Sequence, residues 1–144
     1  MDRISRVGPP VVRAGQVQPL SAAVVAEGPL VFVSGQVPMR NGQPAAPDIA
    51  GQTHAAIDMI EEILARAGCR LEDVVKTTAW LVDGSDYPLF NAAYGERFRP
   101  DRAPARSTVL AGLIAPVRVE IEAVAIVRTV PSRQAQGYLP SSAI

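Results

Sequence analysis

Residues 117–127 read VRVEIEAVAIV, and apolar residues occupy every second position of this stretch. Because the side chains of a β-strand point alternately to the two faces of a sheet, the stretch predicts a strand. Its core face carries Val117, Val119, Ile121, Ala123, Ala125 and Val127. Its outer face carries Arg118, Glu120, Glu122, Val124 and Ile126. The outer face begins charged and ends apolar, so we expect another subunit to cover its apolar end.

Four further strands are predicted from short apolar runs that are bounded by turn residues. Two of them, 21–26 and 30–34, are expected to pair as a hairpin around a Glu-Gly-Pro turn. The third strand is 74–82, which is rich in valine and threonine. The fourth strand, 105–110, is expected to form a second hairpin with 117–127, since only a turn containing glycine and proline separates them.

Two helices are predicted between these strands, and each carries one apolar stripe. The first helix follows the N-cap residue Asp48 and ends at Gly68, a residue typical of helix C-termini. Its stripe consists of Ile49, Thr53, Ala56, Ile57, Ile60, Ile63, Leu64 and Ala67. The second helix has Pro88 in its first turn. Its stripe consists of Phe90, Ala93, Tyr94, Arg97 and Phe98. Both stripes are expected to pack against the core face of the last strand.

One domain accounts for most of the chain. Residues 1–16 include Gly8, Pro9 and Pro10, and they are predicted to be an irregular N-terminal arm. Residues 17–128 are predicted to form the domain itself. Residues 129–144 are polar and contain proline, so they are predicted to be a flexible C-terminal tail.

Composition argues against several classes of function. The 14 acidic and 14 basic residues balance, whereas proteins that bind the phosphate backbone of nucleic acids usually carry a basic surplus. One histidine and one cysteine are too few for a typical zinc site or for a disulfide. His54 is expected on a solvated helix face with Asp58 and Glu61, which argues against a histidine-dependent nucleophile. Neither a signal peptide nor a membrane-spanning segment is recognised, so a cytoplasmic protein without membrane contact is expected.

Two charged residues in the last two strands are the candidates for chemistry, because the sequence contains none of the standard catalytic or nucleotide-binding motifs. Arg106 lies in the strand at 105–110, and Glu120 lies in the strand that follows. An arginine can bind a carboxylate through two parallel hydrogen bonds, and a glutamate can act as a general acid or base. The alternative interpretation, which the two residues alone favour, is a cross-strand ion pair that holds the strands together.

Five short motifs occur in a fixed order along the chain. They are SGQVP at 34–38, EDVVKTT at 72–78, NAAY at 91–94, PARST at 104–108 and VEIEA at 119–123. Together they resemble the RidA/YjgF family of reactive-intermediate deaminases, over residues 20–128. The resemblance implies an α+β fold of the chorismate mutase-like type (bacillus type), with one mixed β-sheet and two helices packed on one face. It also implies a homotrimer with a barrel-like centre and ligand sites between neighbouring subunits.

The resemblance further implies the hydrolytic deamination of reactive 2-enamino or 2-imino acids to 2-keto acids and ammonia, with no cofactor and no metal. Arg106 is expected to hold the substrate carboxylate, and Glu120 is expected to position or activate the attacking water. The remaining substrate-binding residues implied by the resemblance are Ser34, Gly35, Asn91 and Thr108. The implied partners are therefore a small carboxylate-bearing substrate and two further copies of the chain.

One position departs from the family pattern. The family segment GPYSQ corresponds to QPLSA at 18–22, so Leu20 replaces a tyrosine that lines the pocket. A larger substrate, such as an aminomuconate-like acid, is therefore left open. Two further alternatives are a non-catalytic module that binds a small carboxylate or a protein, and an RNA-directed endoribonuclease or translation inhibitor. The zero net charge makes nucleic acid the less favoured partner.

Overall fold

Residues 3–127 are described by the structure, which is a computed structural model. Its helices and strands are β1 (Ile4–Val7), β2 (Val12–Arg13), β3 (Gln16–Val17), β4 (Ala23–Ala26), β5 (Leu30–Gln36), β6 (Met39–Arg40), β7 (Gln43–Pro44), α1 (Ile49–Arg66), β8 (Val74–Leu81), α2 (Tyr87–Arg97), β9 (Ala105–Leu110) and β10 (Val119–Ile126). The tail predicted at 129–144 lies outside the described residues.

A four-stranded mixed sheet forms the centre of the fold. Its strands lie in the order β5-β10-β8-β9, in which β8 and β9 are parallel and the other neighbours are antiparallel. Two parallel neighbours cannot be joined by a tight turn, and α2 supplies the crossover between β8 and β9. The predicted α+β fold, with a mixed sheet and two helices, is confirmed.

The predicted hairpin between β9 and β10 is wrong. β8 lies between these two strands and pairs with both of them. The segment that joins β9 to β10 crosses the end of β8, where the amide of Ala111 donates to the carbonyl of Leu81 and the amide of Val82 donates to the carbonyl of Arg118. Strands that are close in sequence are therefore separated in the sheet, because the β8–α2–β9 crossover already occupies that edge of β8.

The predicted hairpin of 21–26 with 30–34 is also wrong, and so is the prediction that residues 1–16 are irregular. β4 pairs with β1, while β5 pairs with β10. β1 brings the side chain of Ile4 into the protein interior, where it is only 2% exposed. Gly28 redirects the chain between β4 and β5 with a φ of +136°, which glycine adopts far more readily than other residues.

The hydrophobic core lies between the sheet and the two helices, as the helix stripes predict. Its largest fully buried side chains in the helices are Ile57, Ile60, Leu64, Phe90 and Tyr94. Burial of one such apolar side chain contributes about 1.5–3 kcal/mol to the free energy of unfolding. The predicted end of α1 is confirmed, because the amides of Gly68 and Cys69 donate to the carbonyls of Ala65 and Leu64.

The two faces of β10 differ as the alternation predicts, with one exception. All six residues predicted on the core face are buried. On the outer face Val124 is half-buried, whereas Ile126 is fully buried within a single chain. The expectation that a second subunit covers Ile126 is therefore wrong. The pairing register with β8 shifts between Val124 and Ala125, and this bulge ends the simple alternation.

The helix face that is predicted to be solvated remains partly exposed, with side-chain exposures of 34% for His54, 47% for Asp58 and 53% for Glu61, and it also contacts α2. Nε2 of His54 lies 3.1 Å from Oε2 of Glu96. Arg97 of α2 forms ion pairs with Asp58 at 2.8 Å and with Glu61 at 3.2 Å, and its side chain is 19% exposed. α2 packs beside α1, so the polar residues along the margins of the two helices meet.

Candidate active site

Arg106 lies on the edge strand β9, with its side chain on the helix side of the sheet. Its Cα partner in β8 is Thr77, which is fully buried in the core. Nη1 of Arg106 donates to Oδ1 of Asn91 at 2.8 Å, and Nη2 donates to Oη of Tyr87 at 2.8 Å. Both acceptors belong to α2, so the crossover helix positions the guanidinium.

Three aromatic rings of α2 surround the same guanidinium. Its Cζ lies 4.8 Å from the ring centroid of Tyr94, 5.5 Å from that of Phe90 and 5.8 Å from that of Tyr87. The electron-rich faces of such rings attract a cation. Burial lowers the pKa of Arg106 from its ordinary value, although an arginine keeps its charge in proteins. The site therefore presents a partly buried positive charge.

The hydrogen-bond partners of Arg106 are neutral, in contrast to those of Arg97 and Arg118. Arg97 and Arg118 each lie 2.8 Å from an aspartate oxygen. No carboxylate lies within ion-pair distance of Arg106 among residues 3–127. A guanidinium has five N–H donors, and Asn91 and Tyr87 each accept from one of them, so donors remain for an anionic ligand.

Thr108 lies two residues after Arg106 and therefore on the same face of β9. Its Cα partner in β8 is Ala79, which belongs to the core face. Oγ1 of Thr108 is buried and has no hydrogen-bond partner in the part of the chain that the structure describes. A buried hydroxyl without a partner costs about 1–3 kcal/mol. A polar ligand atom beside Arg106 would remove that cost.

Glu120 lies on the opposite face of the sheet. Its neighbours Val119 and Ile121 are fully buried in the core, so the side chain of Glu120 points away from the helices. Its carboxylate lies against the backbone of Gly35 in β5. An ideally placed Cβ atom on Gly35 would stand 2.0 Å from Oε2 of Glu120. The glutamate therefore occupies space that only a glycine leaves open.

A β-bulge in β5 creates this close contact. The register of β5 against β10 shifts between Ile121, which pairs with Gln36, and Ala123, which pairs with Val33. Two residues of β5, 34 and 35, thus oppose one residue of β10. Bulges of this kind redirect side chains and are frequent beside active sites. Ser34 is exposed on the outer side of the sheet at this bulge.

The predicted site residues thus form two clusters within one chain. The helix-side cluster contains Asn91, Arg106 and Thr108. The outer cluster contains Ser34, Gly35 and Glu120. β9 and β10 are two strand spacings apart, roughly 10 Å, and the clusters lie on opposite faces of the sheet. The cross-strand ion pair between Arg106 and Glu120 is therefore wrong, because these residues lie opposite Thr77 and Trp80 of the intervening strand.

Two further residues contact the helix-side cluster and are not predicted from the sequence. Tyr87 contacts Arg106, and Gln18 contacts Asn91. Tyr87 lies in the first turn of α2, and a tyrosine four residues before Asn91 is the signal that helix periodicity offers. Gln18 is only 8% exposed, and its Oε1 accepts a hydrogen bond from Nδ2 of Asn91 at 3.0 Å. It follows the β2–β3 hairpin, so no local pattern in the sequence indicates this contact.

Leu20, the residue that departs from the family pattern, is 9% exposed and lines a surface cleft of about 320 Å³. Val7, Pro9 and Val17 also line this cleft, which is mainly apolar. The segment that carries Leu20 is attached to β9, because the amide of Ser21 donates to the carbonyl of Pro104. The replacement therefore changes a surface next to the strand of Arg106.

Neither a metal cluster nor a membrane-spanning helix is found between residues 3 and 127. No three histidine, cysteine, aspartate or glutamate side chains in this part of the chain are grouped as metal ligands. None of its helices is both long and apolar enough to span a bilayer.

Comparison with known proteins identifies the family. The family model described as Endoribonuclease L-PSP matches residues 12–127. The chain belongs to this family. It is the RidA/YjgF family that the five sequence motifs predict, and that prediction is confirmed.

Individual family members share sequence and fold with the chain. The 2-iminobutanoate/2-iminopropanoate deaminase of Escherichia coli K12 is 38% identical over 106 residues, which cover 70% of this chain and 82% of that protein. A RutC family protein of Pyrococcus horikoshii is 38% identical over 110 residues, covering 74% and 86% of the two chains. The crystal structure of the YjgF gene product of E. coli superposes with a TM-score of 0.64 at 33% identity, covering 83% of this chain and 93% of that one.

Proposed function

We propose that this protein hydrolyses reactive 2-imino and 2-enamino acids to 2-oxo acids and ammonia, at a site shared by two subunits of a homotrimer. The observation that carries the proposal is Arg106, a partly buried cation whose hydrogen-bond partners are neutral. Relatives from E. coli and Salmonella typhimurium that are named 2-iminobutanoate/2-iminopropanoate deaminase support the substrate class.

Arg106 binds the substrate carboxylate in this proposal. Its fixed fork of donors matches the two oxygens of a carboxylate, and Asn91 and Tyr87 hold the fork in place. The unpaired hydroxyl of Thr108 lies on the same face and supplies a further hydrogen bond to the ligand. Orientation is the main requirement of this reaction, because the carbon of a C=N bond is already electrophilic.

Glu120 transfers protons in this proposal. It accepts a proton from a water molecule while the water oxygen bonds to the imine carbon, and a carbinolamine forms. It returns this proton to the nitrogen to complete the carbinolamine, and it then transfers the hydroxyl proton to the same nitrogen as the C–N bond breaks, the C=O bond of the 2-oxo acid forms and ammonia leaves. A 2-enamino acid enters the same sequence as its imine tautomer, after it has gained a proton at C3 and lost one from nitrogen. One water is consumed and one ammonia is released, so neither an oxidant nor a cofactor is required.

A site that contains both Arg106 and Glu120 requires two chains. The two residues lie on opposite faces of one sheet, so a single substrate molecule a few ångströms long does not contact both within one chain. In a cyclic oligomer, one surface of each subunit contacts a different surface of its neighbour. The β9 edge of one subunit then faces the outer cluster of the next.

Exposed apolar residues on the outer face support the homotrimer. Phe32 of β5 is 73% exposed and pairs with the half-buried Val124 of β10. Leu30, next to it on the same face, is 51% exposed. A contiguous apolar surface on a folded chain is typical of a subunit contact. This surface adjoins Ser34 and Gly35, so the same contact would enclose the carboxylate of Glu120.

The proposed function is tested by a coupled assay in which a dehydratase generates 2-aminoacrylate or its four-carbon homologue in situ. We expect the protein to accelerate 2-oxo acid release, and Arg106→Ala to abolish the acceleration while the assembly stays intact. Arg40→Ala is the matched control, because Arg40 is an exposed arginine on β6. A longer enamine tests whether Leu20 has widened the range of substrates. If the 2-oxo acid is released at the same rate with and without the wild-type protein, the proposal is contradicted and a non-catalytic binding module is favoured.

A further inference from the structure

A chain of three side-chain hydrogen bonds runs from the N-terminal hairpin to the guanidinium of Arg106. Nε2 of Gln18 donates to the backbone carbonyl of Gln16 at 3.1 Å, and Oε1 of Gln18 accepts from Nδ2 of Asn91 at 3.0 Å. Oδ1 of Asn91 then accepts from Nη1 of Arg106 at 2.8 Å. Two amide side chains thus connect β3 to the candidate site.

The polarity of this chain is fixed at both ends. An arginine only donates hydrogen bonds, so Asn91 must present its oxygen to Arg106 and its NH₂ group to Gln18. A backbone carbonyl only accepts, so Gln18 must present its NH₂ group to Gln16 and its oxygen to Asn91. Either amide in the reverse orientation would bring two donors or two acceptors together. The observed arrangement is therefore the one orientation that satisfies every member.

We propose that Gln18 is a positioning residue of this site, which acts on Arg106 through Asn91. This inference rests on the proposed function, in which Arg106 binds the substrate carboxylate. Gln18 fixes the side-chain amide of Asn91 so that Oδ1 of Asn91 faces Nη1 of Arg106, while Oη of Tyr87 accepts from Nη2. Together they fix the plane in which the guanidinium meets the two carboxylate oxygens.

The surroundings of Gln18 restrict the movement of its side chain. Gln18 is only 8% exposed, and its backbone N–H donates to the carbonyl of Val11 at 2.7 Å. The β2–β3 hairpin that precedes it turns at Ala14 and Gly15, both with positive φ. Both ends of the Gln18 side chain are thus held, so it restricts Asn91 without needing contact with the substrate.

Removal of the Gln18 amide frees Asn91 to rotate. In Gln18→Met the side chain keeps its length but can no longer accept from Nδ2, so the amide of Asn91 can turn its NH₂ group toward the guanidinium. We expect the Kd for 2-oxobutanoate, a stable 2-oxo acid product, to rise about tenfold, as loss of one charge-assisted hydrogen bond would predict. The full-length protein is titrated with 2-oxobutanoate by calorimetry. Gln43→Met, in the exposed strand β7, is the matched control and should bind like wild type.

A double-mutant cycle distinguishes positioning from a merely structural role. If Gln18 acts through Asn91, Gln18→Met adds no further loss of affinity in the Asn91→Ala background. Gln18→Ala adds no atoms to the packed segment, so it provides the same comparison if the methionine variant does not fold. Wild-type affinity in the Gln18 variants, or losses that add in the double variant, would overturn the inference alone. A wild-type protein that neither binds 2-oxobutanoate nor accelerates deamination would overturn the proposed function as well.

Discussion

Gly35 and Glu120 are in such close contact that a Cβ atom on residue 35 would stand 2.0 Å from Oε2 of the glutamate and 3.0 Å from its Cδ. Real Cβ atoms do not approach other heavy atoms this closely. The bulge in β5 thus holds the carboxylate of Glu120 above a bare backbone. If Glu120 transfers the proton, the glycine sets the position of the transferring group.

We predict that Gly35→Ala displaces the Glu120 carboxylate and lowers kcat/KM by about 10–100-fold, because misplacing a reacting group by about 1 Å has effects of this size. Steady-state kinetics in the coupled assay measure the change. Gly112→Ala is the matched control, since nothing lies within 4 Å of a Cβ there. Equal activity of the two variants would mean that Glu120 can move without consequence.

Arg106→Lys is expected to raise the KM for the imino acid about tenfold or more. Lysine keeps the charge, but it lacks the planar fork that Asn91 and Tyr87 hold. The same change at the exposed Arg40 should have no effect. A wild-type KM in Arg106→Lys would show that charge alone, without fork geometry, binds the carboxylate.

Glu120 and Glu122 share the outer face of β10, and they are expected to differ in role. Neither forms an ion pair within residues 3–127, and they lie opposite Trp80 and Thr78 of β8. Glu120→Gln should lower turnover with little change in assembly. We expect Glu122 to pair with an arginine at the subunit contact, where breaking a buried pair costs about 3–5 kcal/mol.

Glu122→Gln should therefore lower the melting temperature or dissociate the oligomer, as light scattering would measure. Exchanged phenotypes of the two variants would mean that the roles on this face are assigned the wrong way round.

The buried hydrogen bond between Oη of Tyr94 and Oγ1 of Thr77, 2.6 Å long, should contribute to stability. Tyr94→Phe leaves a buried hydroxyl without this partner, which should cost about 1–3 kcal/mol at neutral pH. Burial raises the pKa of Tyr94 far above its ordinary value. In the unfolded chain the tyrosine ionises near pH 10, whereas the folded chain keeps its proton.

The stability that Tyr94 contributes is therefore complete below about pH 10 and is lost as the pH rises beyond it. Denaturant unfolding at pH 7 and pH 11 should show the difference between wild type and Tyr94→Phe shrinking at the higher pH. A constant difference would show that Tyr94 is not protected from ionisation in the fold.

Local pattern was sufficient to predict both helices and the strands β4, β5, β8, β9 and β10, but not β1 or the two-residue strands β2, β3, β6 and β7. The alternation of apolar residues identifies the core face of β10, and Gly68 identifies the end of α1. Both features depend only on residues that are close together in the sequence. Pairing partners depend on residues distant in sequence, so the sequence favoured hairpins where the structure has β1 beside β4 and β8 between β9 and β10.

For the candidate site, too, the sequence predicts which residues take part, but it does not predict how they are arranged in space. Motif resemblance predicts Arg106 and Glu120. The inserted strand β8 sets the distance between them, and the register sets their opposite faces, because Arg106 pairs with Thr77 and Glu120 pairs with Trp80. Gln18 and Asn91 are far apart in sequence, and their contact follows from the position of an N-terminal segment that was predicted as irregular.

Mixing two inactive variants tests whether Arg106 and Glu120 act together only across two subunits. Arg106→Ala and Glu120→Gln are unfolded together and refolded as mixed trimers. In a cyclic trimer with random mixing, about a quarter of the sites combine an intact Arg106 from one chain with an intact Glu120 from its neighbour. We predict recovery of about a quarter of wild-type activity, while each variant refolded alone stays inactive. Mixed trimers that remain inactive would contradict this prediction, because a site within one chain always retains one of the two defects.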